Sequence, residues 1–290
     1  MKKLKQIIAN VKSADEDTEG YNDLLWQLIC YSPKMPLRLQ QQQLLDDAER
    51  FTLQACDEHF THTNLNFNGF KWGSGARKIF ITHGWGSKAA DFIDLITALR
   101  DIPNTTIITY DVPGNGSSEG ELSNGALFME AVKAVIAEYG TPDVLIGHSI
   151  GAMANVMALN AVGAVPNLLV SITPLMRLKE NFEISMNAVG VPAEKQLAYF
   201  DGFAALVGNP ASFYDTDKFY KFDDGLKHLL LYDEADTVSP FVFMKAFIDT
   251  RPFISTLNHT GAGHAGILKS PRAVADIVAE VRQALNGINA

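Results

Sequence analysis

From residue 78 onward, apolar residues come in short continuous runs that alternate with longer stretches patterned at helical spacing. The runs are KIFIT (78–82), TIITY (106–110), DVLIG (143–147), NLLVSI (167–172), HLLLY (228–232) and FISTLN (253–258). They are short and rich in Val, Ile and Leu, as strands buried on both faces are. Helical patterns fill most of the intervals, over 90–100, 124–139, 150–162 and 240–249. Strands separated by helices predict an α/β fold, a mostly parallel sheet covered by helices on both faces. A last helix is expected to open with Ser270 as N-cap and Pro271 at its first position. Val274, Ile277, Val278, Val281 and Leu285 then form its apolar face.

Three stretches depart from this rhythm. Residues 1 to about 56 read as helical, with Leu37, Leu44, Leu45, Ala48 and Phe51 at helical spacing. Alternation and glycines take over in 59–75 and predict short strands and turns. The chain therefore divides into an N-terminal helical extension, 1–58, and a core, 59–290. Between SITP (171–174) and LKHLLLY (226–232), residues 175–225 carry no strand signal. A crossover helix needs only about 12 residues, so this segment predicts an inserted helical cap, with Pro192 starting one of its helices. Nine aromatic residues fall within 181–222. They are expected to form the small core of the cap, and several are candidates for a pocket lining.

Composition narrows the class. The 290 residues are 47% hydrophobic, enough for one large domain or a core with an insertion. A net charge of -9, a pI near 5.2 and the lack of a basic cluster argue against nucleic acid as a partner. No run approaches the ~18 apolar residues of a membrane span. The basic start MKKLKQIIANVK is interrupted by Asn10 and Lys12 and makes a poor secretory signal. A cytoplasmic location is expected, with Cys30 and Cys56 as buried free thiols of a reducing compartment. The run Gln40 to Gln43 is placed on a helix face.

Two segments fit G-x-S-x-G: GSSEG (116–120) around Ser118 and GHSIG (147–151) around Ser149. The pattern alone is weak, so context has to separate them. Ser118 lies among turn formers in a polar loop. Ser149 has a strand before it and a helix after it. A serine at such a turn is held at strained backbone angles with its hydroxyl pushed out. Residues two before and two after crowd together, and Gly147 and Gly151 leave them room.

A serine hydroxyl needs a base, and the base needs an orienting carboxylate. Among seven histidines, His264 stands out in TGAGHAGIL, a glycine-rich loop after the last strand. Loops at the carboxyl ends of parallel strands are where such sheets bind ligands. His148 adjoins Ser149 but must point away along the turn. For the carboxylate, LLLYDEADTVSP offers Asp233, Glu234 and Asp236. Asp236 is favoured because a short turn leads from it into a helix. Asp233 comes next, and the unused acids are expected to be surface charges.

Together these segments resemble the α/β-hydrolase fold superfamily of Ser-His-Asp serine hydrolases and esterases. HGWGS (83–87) resembles its H-G-x loop, and DVPGNGSSEG (111–120) its D-x-P-G-H-G-x-S loop. GHSIG resembles its nucleophile elbow, DEADTVSP its acid turn and GAGHAGIL its histidine loop, in the family's chain order. The resemblance covers roughly residues 60–290, and Asn115 stands where the family usually has histidine. It implies Ser149 as nucleophile, His264 as base and then acid, and Asp236 as orienting carboxylate. It implies an oxyanion hole from the backbone N–H groups of Trp85 and Ile150, and makes the Trp85 ring a candidate wall of the acyl pocket.

The implied activity is carboxylester hydrolysis through an acyl-enzyme, on small or medium apolar esters, with no cofactor and no metal. Thioester, amide or carbon–carbon cleavage runs on the same triad. A small-molecule receptor that kept the fold is the competing class. Monomer and homodimer are both compatible with the sequence. The extension lies outside the common core, as a docking or dimerisation arm or a cover for the sheet flank.

Overall fold

The computed structural model describes residues 2–14 and 20–286. Met1 and residues 15–19, which fall within the stretch read as helical, lie outside the described residues. The chain begins with α1 (Lys2–Ser13), α2 (Tyr21–Cys30) and α3 (Leu39–Asp46), then enters β1 (Glu49–Asp57), β2 (Thr63–Trp72) and β3 (Arg77–Thr82). Next come α4 (Ile93–Leu99), β4 (Thr105–Tyr110), α5 (Gly125–Tyr139), β5 (Val144–His148), α6 (Ile150–Val162) and β6 (Leu168–Ile172). An insertion follows, with α7 (Leu178–Asn187), α8 (Ala193–Val207) and the single turn α9 (Thr216–Phe219). The chain closes with β7 (Lys227–Tyr232), α10 (Phe241–Asp249), β8 (Ser255–Asn258) and α11 (Pro271–Asn286).

One eight-stranded sheet runs in the order β1-β2-β4-β3-β5-β6-β7-β8. The pairs β1–β2 and β2–β4 are antiparallel, and all the others are parallel. The expected six strands are all present, within two residues of their sequence limits. Alternate residues of the central strands point to opposite layers, as the strand period of two requires. Phe80, Leu145, Leu169 and Leu230 join a core with Phe128 of α5 and Met153 of α6. Their neighbours Ile79, Val144, Leu168 and Leu229 join another with Leu45 of α3, Leu95 of α4 and Val281 of α11. Both faces are thus covered, and the strands read as unbroken apolar runs for that reason. Ser270 caps α11 as expected, its Oγ accepting from the Ala273 N–H at 3.4 Å.

The N-terminal expectation needs correction. Helix ends at Asp46, and Glu49–Asp57 form the edge strand β1. Phe51 sits seven residues after Leu44, at helical spacing, and it also opens the alternation Phe51, Leu53, Ala55 that marks a strand. In the strand, Phe51, Leu53 and Ala55 turn inward while Arg50, Thr52, Gln54 and Cys56 turn out. The same alternation makes Cys56 exposed rather than buried, whereas Cys30 is buried as expected. Residues 59–75 hold one ten-residue strand, β2, rather than several short ones. The helices before β1 also divide in two. Leu44 and Leu45 of α3 cover the sheet. Val11 of α1 and Tyr21, Leu25 and Ile29 of α2 instead share a small third core with Met186, Val191 and Tyr199 of the insertion.

Candidate active site

β5 ends at His148 and α6 begins at Ile150, so Ser149 alone makes the corner. Its backbone sits at φ 54°, ψ -125°. For a non-glycine residue such angles cost roughly 1–3 kcal/mol and persist only where neighbours over-determine them. Here the Ser149 N–H donates to the Ile172 carbonyl at 3.0 Å, and the Ser149 carbonyl accepts from Leu175 at 3.1 Å. The flanking glycines are required sterically. A Cβ on Gly147 would lie 2.6 Å from Ala152 Cα, and one on Gly151 would lie 2.7 Å from the Thr82 carbonyl oxygen and collide with that of His83. Gly151→Ala is therefore expected to lower stability by about 3 kcal/mol, read as a shift of the urea midpoint.

The loop after β8 brings His264 over this corner. His264 Nε2 lies 3.0 Å from Ser149 Oγ, and Nδ1 lies 2.6 Å from Asp236 Oδ2. The other carboxylate oxygen, Oδ1, accepts from the backbone of Val238 at 2.8 Å and Ser239 at 3.0 Å. Burial works to raise the Asp236 carboxyl. The bond from His264 and those from the Ser239 and Val238 amides outweigh it and hold the group below the usual carboxylate range. A carboxyl lowered in the folded state stabilises it fully above the ordinary value of 3.8, and that stability is lost as pH falls through the folded value. The difference in urea midpoint between wild type and Asp236→Asn is expected to be constant from pH 7 to 5 and to shrink below about 4.

Asp233, the second choice, is not a surface charge. It is buried, and its carboxylate accepts from Gly263 N at 2.7 Å and Ala235 N at 3.0 Å. It ties the acid turn to the residue just before His264, and the Gly263 bond is the main reason its carboxyl is held low. Glu234 is exposed, as expected of an unused acid. His148 points away from Ser149, as the turn requires. Its Nε2–H donates to the His264 carbonyl at 2.9 Å, and the two rings lie 4.8 Å apart. Burial, then the nearby His264, push its pKa down to about 3, so it stays neutral beneath the site.

On the far side of Ser149 lies the loop 83–87. The His83 ring ties it down: Nδ1–H donates to the Gly84 carbonyl at 2.7 Å, and Nε2 accepts from Val112 N at 3.0 Å. Those partners fix the neutral tautomer, and burial holds the pKa low. Asp111 links the same two loops, accepting from Ala89 N at 2.8 Å and Ser117 N at 2.7 Å. Among the described residues, the N–H groups of Trp85 and Ile150 donate to no turn or loop carbonyl. The Ile150 amide opens a helix and has no acceptor within it. Ser118, the rival serine, is buried away from this arrangement. Its hydroxyl donates to the Asp111 carbonyl and accepts from Asn68 N at 2.9 Å.

A model of the alpha/beta hydrolase family matches residues 79–277. The chain belongs to the alpha/beta hydrolase family. No curated protein sequence matches it. Solved structures resemble it at low identity. An esterase of Pyrococcus furiosus is 16% identical with a TM-score of 0.61, over 89% of this chain and 97% of that one. Mouse alpha/beta hydrolase domain-containing protein 10 is 14% identical with a TM-score of 0.62, over 83% and 100%. A putative aryl esterase from Burkholderia cenocepacia is 20% identical with a TM-score of 0.56, over 82% and 100%. At these identities the likeness is one of fold.

In this alpha/beta hydrolase, Ser149 and His264 border a cavity of about 680 Å³. The Trp85 ring borders it too, stacked on Phe128 at 6.2 Å. Of the nine aromatic residues in 181–222, Phe182, Phe203 and Tyr214 reach the cavity. Tyr199 is buried in the core shared with α2, and Tyr220 packs on His228. Asn115, at the family's histidine position, is buried and bonded. Its Oδ1 accepts from Ser32 of the N-terminal segment, and its amide donates to Ser123 Oγ at 3.1 Å.

Sequence reasoning misjudged the role of one contributor and missed another. The first is Asp233, ranked second as the orienting carboxylate and otherwise expected as a surface charge, whose actual partners are backbone amides and leave no trace in residue type. The other is the N-terminal segment, since Trp26, Leu28 and Ile29 of α2 border the cavity. Among the described residues, no helix is long and apolar enough to cross a membrane.

Proposed function

We propose that this alpha/beta hydrolase is a serine hydrolase working through an acyl-enzyme, with carboxylic esters of small or medium apolar acyl groups as substrates. The observation that carries the reading is the hydrogen-bonded line from Ser149 through His264 to Asp236, ending in a largely apolar cavity. In this mechanism His264 Nε2 takes the hydroxyl proton as Ser149 Oγ attacks the ester carbonyl. Asp236 keeps the other ring proton on Nδ1 and stabilises the imidazolium. The Trp85 and Ile150 amides receive the oxyanion, and the N-terminal dipole of α6 adds to their field. The imidazolium then protonates the leaving alcohol. Water enters by the same route in reverse and releases the acid.

The inserted helices act as a cap that keeps water from the site and limits what enters. The test combines fluorophosphonate labelling with kcat/KM for p-nitrophenyl esters from acetate to palmitate. Labelling at Ser149 is expected, with the highest rates on chains of roughly two to eight carbons, each buried CH₂ contributing ~0.8 kcal/mol until the pocket fills. An optimum at palmitate with activation at a lipid interface would make the insertion a mobile lid and overturn the size reading. Thioester or amide analogues turned over faster than the matching ester would overturn the bond assignment.

A further inference from the structure

We infer that the N-terminal segment is a built wall of the substrate chamber and that Trp26 sets the length of acyl group it accepts. The inference rests on the acyl-chamber reading above and assigns a specificity role outside the matched residues 79–277. Tyr21, Leu25, Ile29 and Cys30 of α2 are buried in the small core against Met186, Val191 and Tyr199. The apolar face of this helix is therefore already covered, which leaves little of it to dock a partner. Trp26 sits at the boundary, half-buried, and is the aromatic residue among those of α2 that border the cavity, the others being Leu28, Ile29 and Cys30. Its ring lies 4.8 Å from Tyr199, 5.8 Å from Phe60 and 6.0 Å from Phe203, the last nearly parallel at 15°. Phe203 in turn lies 6.1 Å from Tyr214. Trp26, Phe203 and Tyr214 thus form one aromatic wall, begun by the N-terminal segment and continued by the insertion.

α6 borders the same cavity. Ser149, Met153 and Met157 all border the space, four residues apart along one helix face. At a rise of ~1.5 Å per residue they mark a floor ~12 Å long, starting at the reactive hydroxyl. An extended chain advances roughly 1.2 Å per bond, so the floor takes an acyl group of about eight to ten atoms. Methionines adapt to what lies on them, whereas an aromatic ring wedged among other rings does not. The rigid side of the chamber is therefore the Trp26 side, and it decides the fit.

The wall is also fixed to the catalytic loops. The Cys30 carbonyl accepts from Ser123 N at 2.8 Å, Tyr31 bridges to Leu122, and Lys34 Nζ donates to the Ser118 carbonyl at 2.6 Å. Further on, Gln41 of α3 donates to Asp91 at 2.9 Å, and Asp91 accepts from Ser87 in the loop that carries Trp85. A segment held at this many points is a wall rather than a swinging lid.

The test is the acyl-length profile of kcat/KM for wild type, Trp26→Ala, Trp26→Phe and Leu39→Ala. Leu39 is an exposed residue of the same segment, remote from the cavity lining, and serves as control. Removing the indole frees space for further methylenes, each worth roughly a fourfold gain once it can be buried. In Trp26→Ala the ratio of dodecanoate to octanoate rates is expected to rise at least tenfold, with the optimum displaced to longer chains. Trp26→Phe keeps the wild-type optimum or moves it by one step, and Leu39→Ala leaves the profile unchanged. A uniform loss across all lengths in Trp26→Ala, with no change of ratio, would make the ring merely structural and overturn the assignment. If the alanine variant fails to fold, Trp26→Leu carries the same test.

A second readout needs no turnover. In a Ser149→Ala, Trp85→Phe background, octanoic acid brominated at its terminal carbon is expected to quench tryptophan fluorescence. The quenching should disappear when Trp26 is also replaced by Phe, because Trp72 lies on the other face of the sheet beneath Leu44. Quenching that survives this replacement overturns the wall. A wild type that turns over no ester yet shows quenching dependent on Trp26 overturns the esterase reading and supports the wall.

Discussion

Replacing Ser149 with alanine is expected to abolish fluorophosphonate labelling and to lower ester kcat by on the order of 10⁶. The size of the effect follows from how the parts act together. Among the described residues, the proton on Ser149 Oγ has one side-chain acceptor within reach, His264 Nε2 at 3.0 Å. Without the hydroxyl, His264 and Asp236 have nothing to activate, and only binding and the oxyanion amides remain. That residue of catalysis is ~10³ to 10⁴ over water. Ser118→Ala provides the contrast. Its hydroxyl is engaged with Asp111 and Asn68 inside a loop, so its loss is expected to cost about 1–3 kcal/mol of stability for the unpaired groups and to leave labelling intact. Mass analysis of the labelled peptide decides the matter. An adduct on residues 111–120, or full turnover by the Ser149 variant, would reject the mechanism.

Asp236→Asn is expected to lower kcat by on the order of 10⁴ with little change in fold. An asparagine amide would donate toward Nδ1 and favour the tautomer with its proton on Nε2, facing the serine. His264 could then no longer accept from Ser149. The neighbouring substitution, Asp233→Asn, separates orientation from anchoring. Asp233 does not touch the imidazole but holds Gly263, so its variant is expected to lose thermal stability and only a modest part of kcat. Measuring kcat and Tm for both variants gives the comparison. If Asp233→Asn proved the more damaging to kcat at unchanged Tm, the carboxylate assignment would move by three residues.

The hydrogen-bonded line Ser149–His264–Asp236 was legible because each of its members sits in a local signal. Ser149 lies between an apolar run and a helical pattern, with small residues where a Cβ would strike the neighbouring chain. Asp236 follows a strand that declares itself by continuous apolar character, and His264 lies in a glycine-rich loop after the last, more polar edge strand. The strands were readable for a related reason: a sheet covered on both faces leaves few polar positions in its centre. Other parts were hidden for physical reasons. β1 at the sheet edge is half-exposed, and its inward residues Phe51, Leu53 and Ala55 begin where a helical spacing still fits. Asp233 works through backbone amides, which every residue type offers. Trp26 meets Tyr199 across about 170 residues of chain, and no pattern within α2 points to that partner.

That last separation has a consequence for how the chain is made. Synthesis proceeds at ~5–20 residues per second, so roughly 10 to 35 s pass between the appearance of Trp26 and that of Tyr199. Throughout that interval α2 has only α1 and Phe60 against its apolar face and lacks Met186, Val191 and Tyr199, while the strands that follow can begin to pair. A ten-residue helix is marginal alone in water, so it is tertiary contact with the late-made insertion that fixes it. The order of translation thus runs opposite to the order in which this small core can close. The nascent polypeptide carries Trp26 without Tyr199 and Phe203 until more than two thirds of the protein has left the ribosome, and that is the interval in which a chaperone would find it.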